Sequence, residues 1–316
     1  MFSSVRRMLK ARLPGRLQIA IRNLKALSAV DLITLRTRMD PMEAGLQQLG
    51  EYLVRREYAP GAGEVVAKSE LNNHELSVYS QNGEDGILLY LFSRIGTTGR
   101  TFVEFGVGDG TECNSANLSI NFAWGGLLMD GGEENMRHAR RFYDRMLGDR
   151  AASVAVAKRW ITAENIDELI GEHGIRGEID LLSVDIDGND YWVWRAIRSV
   201  DPRVVVVEYN PSFGIDHAVT VPYDPAFQRR AKHPSGFYHG ASLRALAALG
   251  GEKGYVLVGC DSRGVNAFFV RRDVAEARGL RPVAPEDAFF PSATRSEVMS
   301  TDEQFALVRH LELVRV

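Results

Sequence analysis

Short apolar runs alternate with longer amphipathic segments over residues 76–270 of this chain. Apolar runs of a few residues, bounded by glycine or polar residues, predict buried strands, and apolar residues every three or four positions predict helices. This alternation predicts a sheet of parallel strands with helices on both faces. The five runs that we expect to form parallel strands are residues 101–105, 126–129, 152–158, 180–185 and 204–209.

The end of this region has a different pattern. Two apolar runs, residues 255–259 and 267–270, are separated by the seven residues 260–266. A strand, a short turn and a second strand predict an antiparallel hairpin. The sequence therefore predicts a doubly wound α/β fold in which five parallel strands are followed by a C-terminal hairpin.

Three glycines at alternate positions, Gly106, Gly108 and Gly110, follow the first predicted strand. Glycine allows a tight turn and lets the backbone approach a ligand without a Cβ atom in the way. The second predicted strand ends in Asp130, twenty residues after Gly110. A carboxylate at this strand end is where nucleotide-binding folds bind a ribose diol. The two features together predict a bound nucleoside.

Two nucleoside ligands compete for this site. A dinucleotide site has the pattern Gly-x-Gly-x-x-Gly, but its third glycine would fall on Thr111. The pattern Glu-x-Gly-x-Gly-x-Gly, which begins at Glu104, is similar to motif I of the class I methyltransferases, which bind S-adenosylmethionine (SAM). SAM has no pyrophosphate and does not need the phosphate-binding spacing. We therefore favour SAM, with a dinucleotide or a glycine turn without ligand as alternatives.

Several segments of the chain resemble the FkbM-type SAM-dependent methyltransferases. The segments are residues 80–86, 102–107, 185–190, 208–210 and 259–262. The resemblance implies a Rossmann-like methyltransferase sheet of seven strands. It also implies an O-methyltransferase that acts on a hydroxyl of a sugar, a surface polysaccharide or a glycolipid. One departure is that Asp187 and Asp190 stand where many members of the family carry glutamate.

The same resemblance implies a set of cofactor-binding residues. We expect Glu104 to pair with the ammonium group of SAM, directly or through water, the amides of the glycine turn to bind its carboxylate, and Asp130 to bind its ribose. For Asp130 the alternative is a loop-capping carboxylate, and for Thr162 it is a helix N-cap. The predicted cofactor-binding residues are Gln81, Glu104, Gly106, Gly108, Gly110, Asp130, Ile161, Thr162 and Asp185.

Acidic residues collect at the ends of the fourth and fifth predicted strands. Open α/β sheets bind ligands at the carboxyl ends of their strands, so these side chains are candidates for the active site. Carboxylates that share a cleft repel one another unless a cation, a proton or a basic group offsets them. We expect either a Mg²⁺ ion or metal-free capping of the loop. The candidate metal ligands are Asp185, Asp187, Glu208 and Asn210.

Methylation of an alcohol also requires a group that removes its proton. We expect His239 to be this general base, with Asp187 and Glu208 as further catalytic candidates. The alternative for His239 is a structural histidine. An insertion, residues 215–240, is expected to cover the acceptor, and its rings either stack on a sugar or form an apolar cluster of their own. These rings belong to Tyr223, Phe227 and Phe237.

Bulk composition narrows the class of protein. The chain has 316 residues, a net charge of −3 and two cysteines. This charge argues against nucleic-acid binding, and the cysteine count argues against a disulfide framework. No apolar run is long enough to cross a bilayer, so we expect a cytoplasmic protein. An NAD-dependent sugar-modifying oxidoreductase or epimerase and a non-catalytic scaffold with the same fold are the alternative functions.

Charge and pattern divide the chain into three regions. Residues 1–75 are expected to form a basic, helical extension and a linker, residues 76–272 the methyltransferase domain, and residues 273–316 a tail that packs on the domain or on a partner. Residues 1–38 contain nine Lys and Arg and one acid. An amphipathic helix of this charge suits peripheral contact with the anionic inner membrane, or packing on the body or on a second subunit of a homo-oligomer.

Overall fold

The computed structural model describes residues 68–316, and the predicted basic extension and its proposed membrane contact lie largely outside them. None of the helices in this described part is both long and apolar enough to cross a membrane. The strands are β1 (Thr101–Phe105), β2 (Gly125–Asp130), β3 (Val154–Lys158), β4 (Gly177–Val184), β5 (Val200–Glu208), β6 (Val219–Thr220), β7 (Tyr255–Cys260), β8 (Asn266–Arg271) and β9 (Val314–Arg315).

Seven of these strands form one sheet in the order β3-β2-β1-β4-β5-β8-β7. Strands β1 to β5 are parallel, whereas β8 is antiparallel to both β5 and β7. The order reverses between β1 and β4, which is the point where open α/β sheets bind ligands. The predicted doubly wound, seven-stranded Rossmann-like sheet with its C-terminal hairpin is confirmed.

Helices cover both faces of the sheet, as the parallel strands require. The α-helices are α1 (Glu84–Ile95), α2 (Ala116–Phe122), α3 (Glu133–Leu147), α4 (Ile166–Glu172), α5 (Asp190–Ala196), α6 (Arg229–Lys232), α7 (Leu243–Glu252), α8 (Arg272–Arg278), α9 (Pro285–Ala288), α10 (Ala293–Ser296) and α11 (Thr301–Val308). Short 3₁₀ turns occur at Glu70–His74, Gly148–Ser153 and Pro211–Phe213.

Two apolar layers hold the sheet between these helices. Successive strand side chains point to opposite faces, so Val103 and Phe105 of β1 pack on α4, α5 and α7. Phe102 lies on the other face and packs with residues of α1 and α3. The continuous run Val204–Val207 in β5 is fully buried, because β4 and β8 flank this strand and helices cover both faces. This burial keeps the strand ends rigid where the polar residues follow.

The insertion and the C-terminal tail form a third apolar cluster. Strand β6 in the insertion pairs with β9 in the tail, so the two segments share a two-stranded sheet. The Tyr238 hydroxyl donates a hydrogen bond to the carbonyl of Glu312 at 2.5 Å. Phe227 is buried in the same cluster and presses against Gly188, where a Cβ atom would lie 2.2 Å from its ring. This ring therefore packs internally, which is the alternative to stacking on a sugar.

A buried carboxylate in the central strand β4 holds the segment that leads into β1. Asp180 of β4 is fully buried and accepts hydrogen bonds from the amides of Thr98 at 2.8 Å and Gly99 at 2.9 Å. The guanidinium Nε of Arg203 in β5 lies 3.6 Å from the same carboxylate. Asp180 therefore joins the entry to β1 to the two central strands.

We predict that Asp180→Ala lowers the free energy of unfolding by about 3–5 kcal/mol, because it leaves the amides of Thr98, Gly99 and Arg100 without their acceptor and removes one partner of the half-buried Arg203. Urea denaturation of the purified protein measures this change. Asp144→Ala on the exposed face of α3 is the matched control, with an expected change within about 0.5 kcal/mol. Equal unfolding midpoints for the two variants would show that Asp180 has no such role.

Candidate active site

A pocket of about 180 Å³ opens beside the glycine turn at the carboxyl end of β1. It extends from the turn across the end of β4 to the first residue of β8. The residues that line it are Gln81, Asn82, Glu84, Glu104, Phe105, Gly106, Val107, Gly108, Asp109, Glu112, Cys113, Asn114, Asp185, Val265 and Asn266.

The glycines of the turn have different reasons to lack a side chain. Gly106 has φ +71°, and a Cβ atom there would lie 1.4 Å from the backbone oxygen of Asp185. Gly108 also has a positive φ, of +53°, but a Cβ atom there would meet nothing within 4 Å. Gly106 is thus required by the end of β4, whereas Gly108 faces the open space that a ligand can occupy.

The amides of the three glycines already have acceptors within the protein. Gly106 donates to the carbonyl of Met129 at 2.9 Å, and Gly110 donates to the carbonyl of Val107 at 2.9 Å. Gly108 donates to the carboxylate of Asp130 at 3.1 Å. The tight turn thus uses the amides of its three glycines itself, and binding of the SAM carboxylate by the other amides of the turn stays a prediction.

Asp130 lies at the end of β2, as predicted, and is partly exposed. Besides the amide of Gly108, its carboxylate accepts a hydrogen bond from the amide of Gly132 at 2.7 Å. This is the loop-capping arrangement that the sequence left open. Each carboxylate oxygen can accept more than one hydrogen bond, so Asp130 keeps lone pairs for a ribose hydroxyl.

Glu104 lines the pocket, but its oxygens are bound to the start of α2. They accept hydrogen bonds from the amide of Asn114 at 2.8 Å and from the amide and hydroxyl of Ser115 at 2.9 and 2.5 Å. Burial raises the pKa of Glu104, and these hydrogen bonds oppose the shift. The carboxylate thus fixes the start of α2, and its pairing with an ammonium group, directly or through water, stays a prediction.

The other predicted cofactor residues lie in different environments. Gln81 is exposed at the pocket, and its amide nitrogen donates to Glu112 at 2.5 Å. Ile161 is buried in the apolar layer around α4. The amide of Thr162 donates to Asn165 at 2.8 Å, which closes the loop before α4. Gln81 can therefore contact a ligand, whereas Ile161 and Thr162 do not line the pocket.

The charged side chains that line the pocket are all acidic. The described lining contains five carboxylates and not one Lys, Arg or His. Carboxylates this close disfavour an anionic ligand and favour a cationic one. The five acidic residues are Glu84, Glu104, Asp109, Glu112 and Asp185.

Three carboxylates from two strand ends converge next to this pocket. Asp185, Asp190 and Glu208 each place an oxygen within 4.8 Å of the others. Asp190 at the start of α5 accepts hydrogen bonds from the amides of Ile186 at 2.7 Å and Gly188 at 2.9 Å. A set of oxygen ligands at this spacing suits a hard divalent cation or a shared proton.

The electrostatics of these carboxylates differ. Burial and the neighbouring Glu208 raise the pKa of Asp190 to about 7, and the same causes raise the pKa of Asp185 well above its usual range. Burial also acts to raise the pKa of Glu208. The positive charges of His239, Arg229 and Arg295 outweigh this effect and hold that pKa below its usual range. Glu208 is thus the most acidic of the three carboxyl groups, and Asp185 and Asp190 are less acidic than ordinary aspartates.

Two of the predicted metal ligands lie outside this group. Asp187 has φ +56°, is exposed and forms an ion pair with Arg229 of α6. The side-chain oxygen of Asn210 accepts hydrogen bonds from the amide of Ser212 and from Arg295, both at 3.0 Å. The cluster therefore contains Asp185 and Glu208 of the predicted set together with Asp190, whereas Asp187 pairs with Arg229 and Asn210 holds the loop after β5.

His239 is fully buried behind Glu208 rather than exposed to an acceptor. Its Nδ1 lies 3.2 Å from the side-chain nitrogen of Asn210, which donates its two hydrogens to the closer carbonyls of Phe237 at 2.7 Å and of His239 at 2.9 Å. Nε2 lies 3.6 Å from Glu208. His239 thus lies against Glu208 and is not among the residues that line the pocket, and its role as the general base stays a prediction.

Residues that the motifs did not indicate complete the site. Arg229 comes from the insertion and lies 4.0 Å from Glu208. Arg295 comes from the tail and donates to Ser212 at 2.9 Å. Neither arginine stands in a recognisable motif, and no local pattern predicts that the tail returns to the end of β5. The excess of acids at the strand ends was the only sequence signal that basic partners were needed.

Solved structures with a similar arrangement of elements include SAM-dependent methyltransferases, whereas no protein-family model and no curated protein matches the chain. Magnesium protoporphyrin IX methyltransferase from Synechocystis, with bound SAH, is 16% identical, covers 73% of this chain and 99% of its own, and has a TM-score of 0.39. An O-methyltransferase from Bacillus cereus in complex with SAH is 17% identical, with 73% and 89% covered and a TM-score of 0.36. The N-terminal domain of EvdMO1 with bound SAH is 16% identical, with 61% and 81% covered and a TM-score of 0.38. At these identities the likeness concerns the fold alone.

A second buried carboxylate shapes the approach to the pocket. One oxygen of Asp85 accepts hydrogen bonds from the amides of Val78 at 2.8 Å, Tyr79 at 2.7 Å and Ser80 at 2.8 Å. These residues precede Gln81 directly. Burial raises the pKa of Asp85 to about 6, although the three amide hydrogen bonds oppose the shift. Asp85 therefore holds the segment that carries Gln81. Its contribution to the free energy of unfolding depends on pH, because its pKa is raised in the folded state.

We predict that stability falls as the pH rises from about 4 to about 6, because the folded state keeps the Asp85 proton after the unfolded chain has lost it. Asp85→Asn should remove this part of the slope, which amounts to about 3 kcal/mol at most. Urea denaturation at a series of pH values measures it. Asp149→Asn, which changes an exposed carboxylate, should keep the wild-type slope. An unchanged slope in Asp85→Asn would contradict the assignment.

Proposed function

We propose that this chain is a SAM-dependent O-methyltransferase that acts on a hydroxyl of a sugar, a surface polysaccharide or a glycolipid. The observation that carries the SAM assignment is the charge of the pocket beside the glycine turn, which has five carboxylates and no basic residue in its described lining. SAM carries a sulfonium and an ammonium charge, which these carboxylates attract. The pyrophosphate of a dinucleotide would be repelled, and this disfavours the NAD-dependent alternative.

The carboxyl ends of β4 and β5 support proton removal from an acceptor hydroxyl. Asp185 lines the pocket, and Glu208 lies next to it. A base works best when its pKa is close to the working pH, and the raised pKa of Asp185 is a shift in that direction. His239 would hold Glu208 in place from behind. We therefore assign the acceptor proton to Asp185, with Glu208 as the fixed negative charge beside it.

The same three carboxylates also suit a Mg²⁺ ion. Glu208 has one buried oxygen without a hydrogen-bond partner among the described residues, as expected of an unused ligand. Asp185, Asp190 and Glu208 would hold the ion. When bound, Mg²⁺ would lower the pKa of the acceptor hydroxyl. Asp187 and Asn210 are not part of this proposed set, because Arg229 and the loop after β5 use them.

The carbohydrate acceptor rests on the resemblance of the motif segments to the FkbM-type enzymes. The insertion adds polar groups at the rim, where Arg229 and Asp187 form an ion pair that a polar acceptor can contact. The tail packs against the same insertion through β9, so both segments would shape the acceptor side.

We predict that the purified protein binds SAM and not NAD in isothermal titration. Asp130→Ala should weaken SAM binding by about 1–3 kcal/mol, because the ribose hydroxyls lose an acceptor. Glu134→Ala, on the exposed face of α3, is the control and should bind SAM like the wild type. Binding of NAD in place of SAM would support the oxidoreductase alternative. Unchanged SAM affinity in Asp130→Ala would restrict Asp130 to loop capping.

We predict that Mg²⁺ or Mn²⁺ raises the melting temperature, since a ligand that binds only the folded state stabilises it by about 2.7 kcal/mol at a hundredfold excess over its dissociation constant. Glu208→Gln should abolish this effect, because it removes a charged ligand with little change of shape. Asp187→Asn is the matched control and should keep it. If the ions leave the wild-type melting temperature unchanged, proton removal would rest on Asp185 without a metal.

A further inference from the structure

Asn266 is a buried amide whose oxygen has no partner. It is the first residue of β8, is 5% exposed and lines the pocket beside the glycine turn. Its side-chain nitrogen donates to Glu84 at 2.8 Å. A carboxylate accepts only from the nitrogen of the amide, so this contact fixes the orientation of the side chain. The oxygen then remains a buried acceptor without a hydrogen-bond donor among the described residues.

Glu84, the hydrogen-bond acceptor of this amide, adds a negative charge to the same part of the pocket lining. Glu84 begins α1 and is almost fully buried. Its carboxylate is held by the backbone amide of Asn82 at 2.7 Å and by the side-chain amide of Asn82 at 3.0 Å. A rigid carboxylate beside a free amide oxygen favours a ligand group that both donates hydrogen bonds and carries positive charge.

The position in the pocket indicates which part of SAM this group would be. Asp130, the proposed ribose ligand, lies on β2 beside the amide of Gly108, whereas Asn266 lies farther across the sheet on β8, in register with Glu208 of β5. Glu104, the other candidate for a positive group, is engaged with the start of α2. The methionine half of SAM would therefore contact the part of the pocket lined by Asn266 and Glu84.

We propose that the side-chain oxygen of Asn266, with Glu84 beside it, binds the α-ammonium group of SAM. This inference rests on the proposed SAM-dependent function and adds a cofactor-binding subsite from the C-terminal hairpin. An ammonium group has three N–H donors, so it can satisfy the free oxygen while its charge is offset by the nearby carboxylate.

Isothermal titration with two ligands tests the subsite. One is S-adenosylhomocysteine, and the other is its deamino analogue, in which a hydrogen atom replaces the amino group. The wild type should bind S-adenosylhomocysteine about tenfold to a hundredfold more tightly than the analogue, the range for a hydrogen bond to a charged group. Asn266→Ala should lose this preference by weakening only the binding of S-adenosylhomocysteine.

Asn72→Ala is the matched control. Asn72 donates to the carbonyl of Cys260 at 2.9 Å and so braces the same hairpin from outside the pocket lining. This variant should keep the wild-type preference, which separates loss of the subsite from a general weakening of the hairpin.

The outcomes distinguish the two proposals. A wild type that binds neither ligand would contradict the SAM-dependent function itself. A wild type that binds both ligands equally well would overturn the ammonium subsite alone, and this measurement needs no folded variant. Retention of the preference in Asn266→Ala would overturn the role of Asn266 and leave the proposed function intact.

Discussion

Carboxylates crowd the carboxyl edge of the sheet, and their mutual repulsion is the constraint on which the arrangement of the site depends. Parallel strands end at the same edge, so Asp130, Asp185 and Glu208 come from three different strands to one side of the molecule. Burial removes the water that would otherwise screen them. Each carboxylate therefore needs a donor, a positive charge, a proton or a ligand, and the surrounding loops supply these in different ways.

Backbone amides satisfy the acids that shape the loops. Glu104 and Asp130 both bind amides near the glycine turn, and Asp190 binds the two amides of the turn after β4. Such a carboxylate acts as a structural brace, because its hydrogen bonds fix the backbone at the point where a ligand would approach. The acids of the pocket that remain leave an excess of negative charge, which is the physical basis for assigning a cationic cofactor to it.

Arginines from distant parts of the chain offset the acids of β5 and of the turn after β4. Arg229 in the insertion pairs with Asp187, and Arg295 in the tail holds the loop after β5 through Asn210 and Ser212. The insertion and the tail are joined by the pairing of β6 with β9 and by their own apolar cluster. The proposed acceptor side is thus built by segments outside the sheet, whereas the proposed cofactor side is built mainly by the strand ends, the glycine turn and the start of α1.

The sequence by itself determined the sheet, its C-terminal hairpin, the glycine turn and the position of Asp130. Apolar periodicity and glycine spacing depend only on residues close together along the chain, so they can be recognised without the tertiary structure. The tertiary structure decided which polar side chains share a site. The positive φ of Asp187 turns it to Arg229 and leaves Asp190 with Asp185, although all three lie within six residues. His239 is buried behind Glu208 by the packing of the insertion. Asn266 meets Glu84 across 182 residues of chain, a contact that only the folding of the hairpin onto the start of α1 could create.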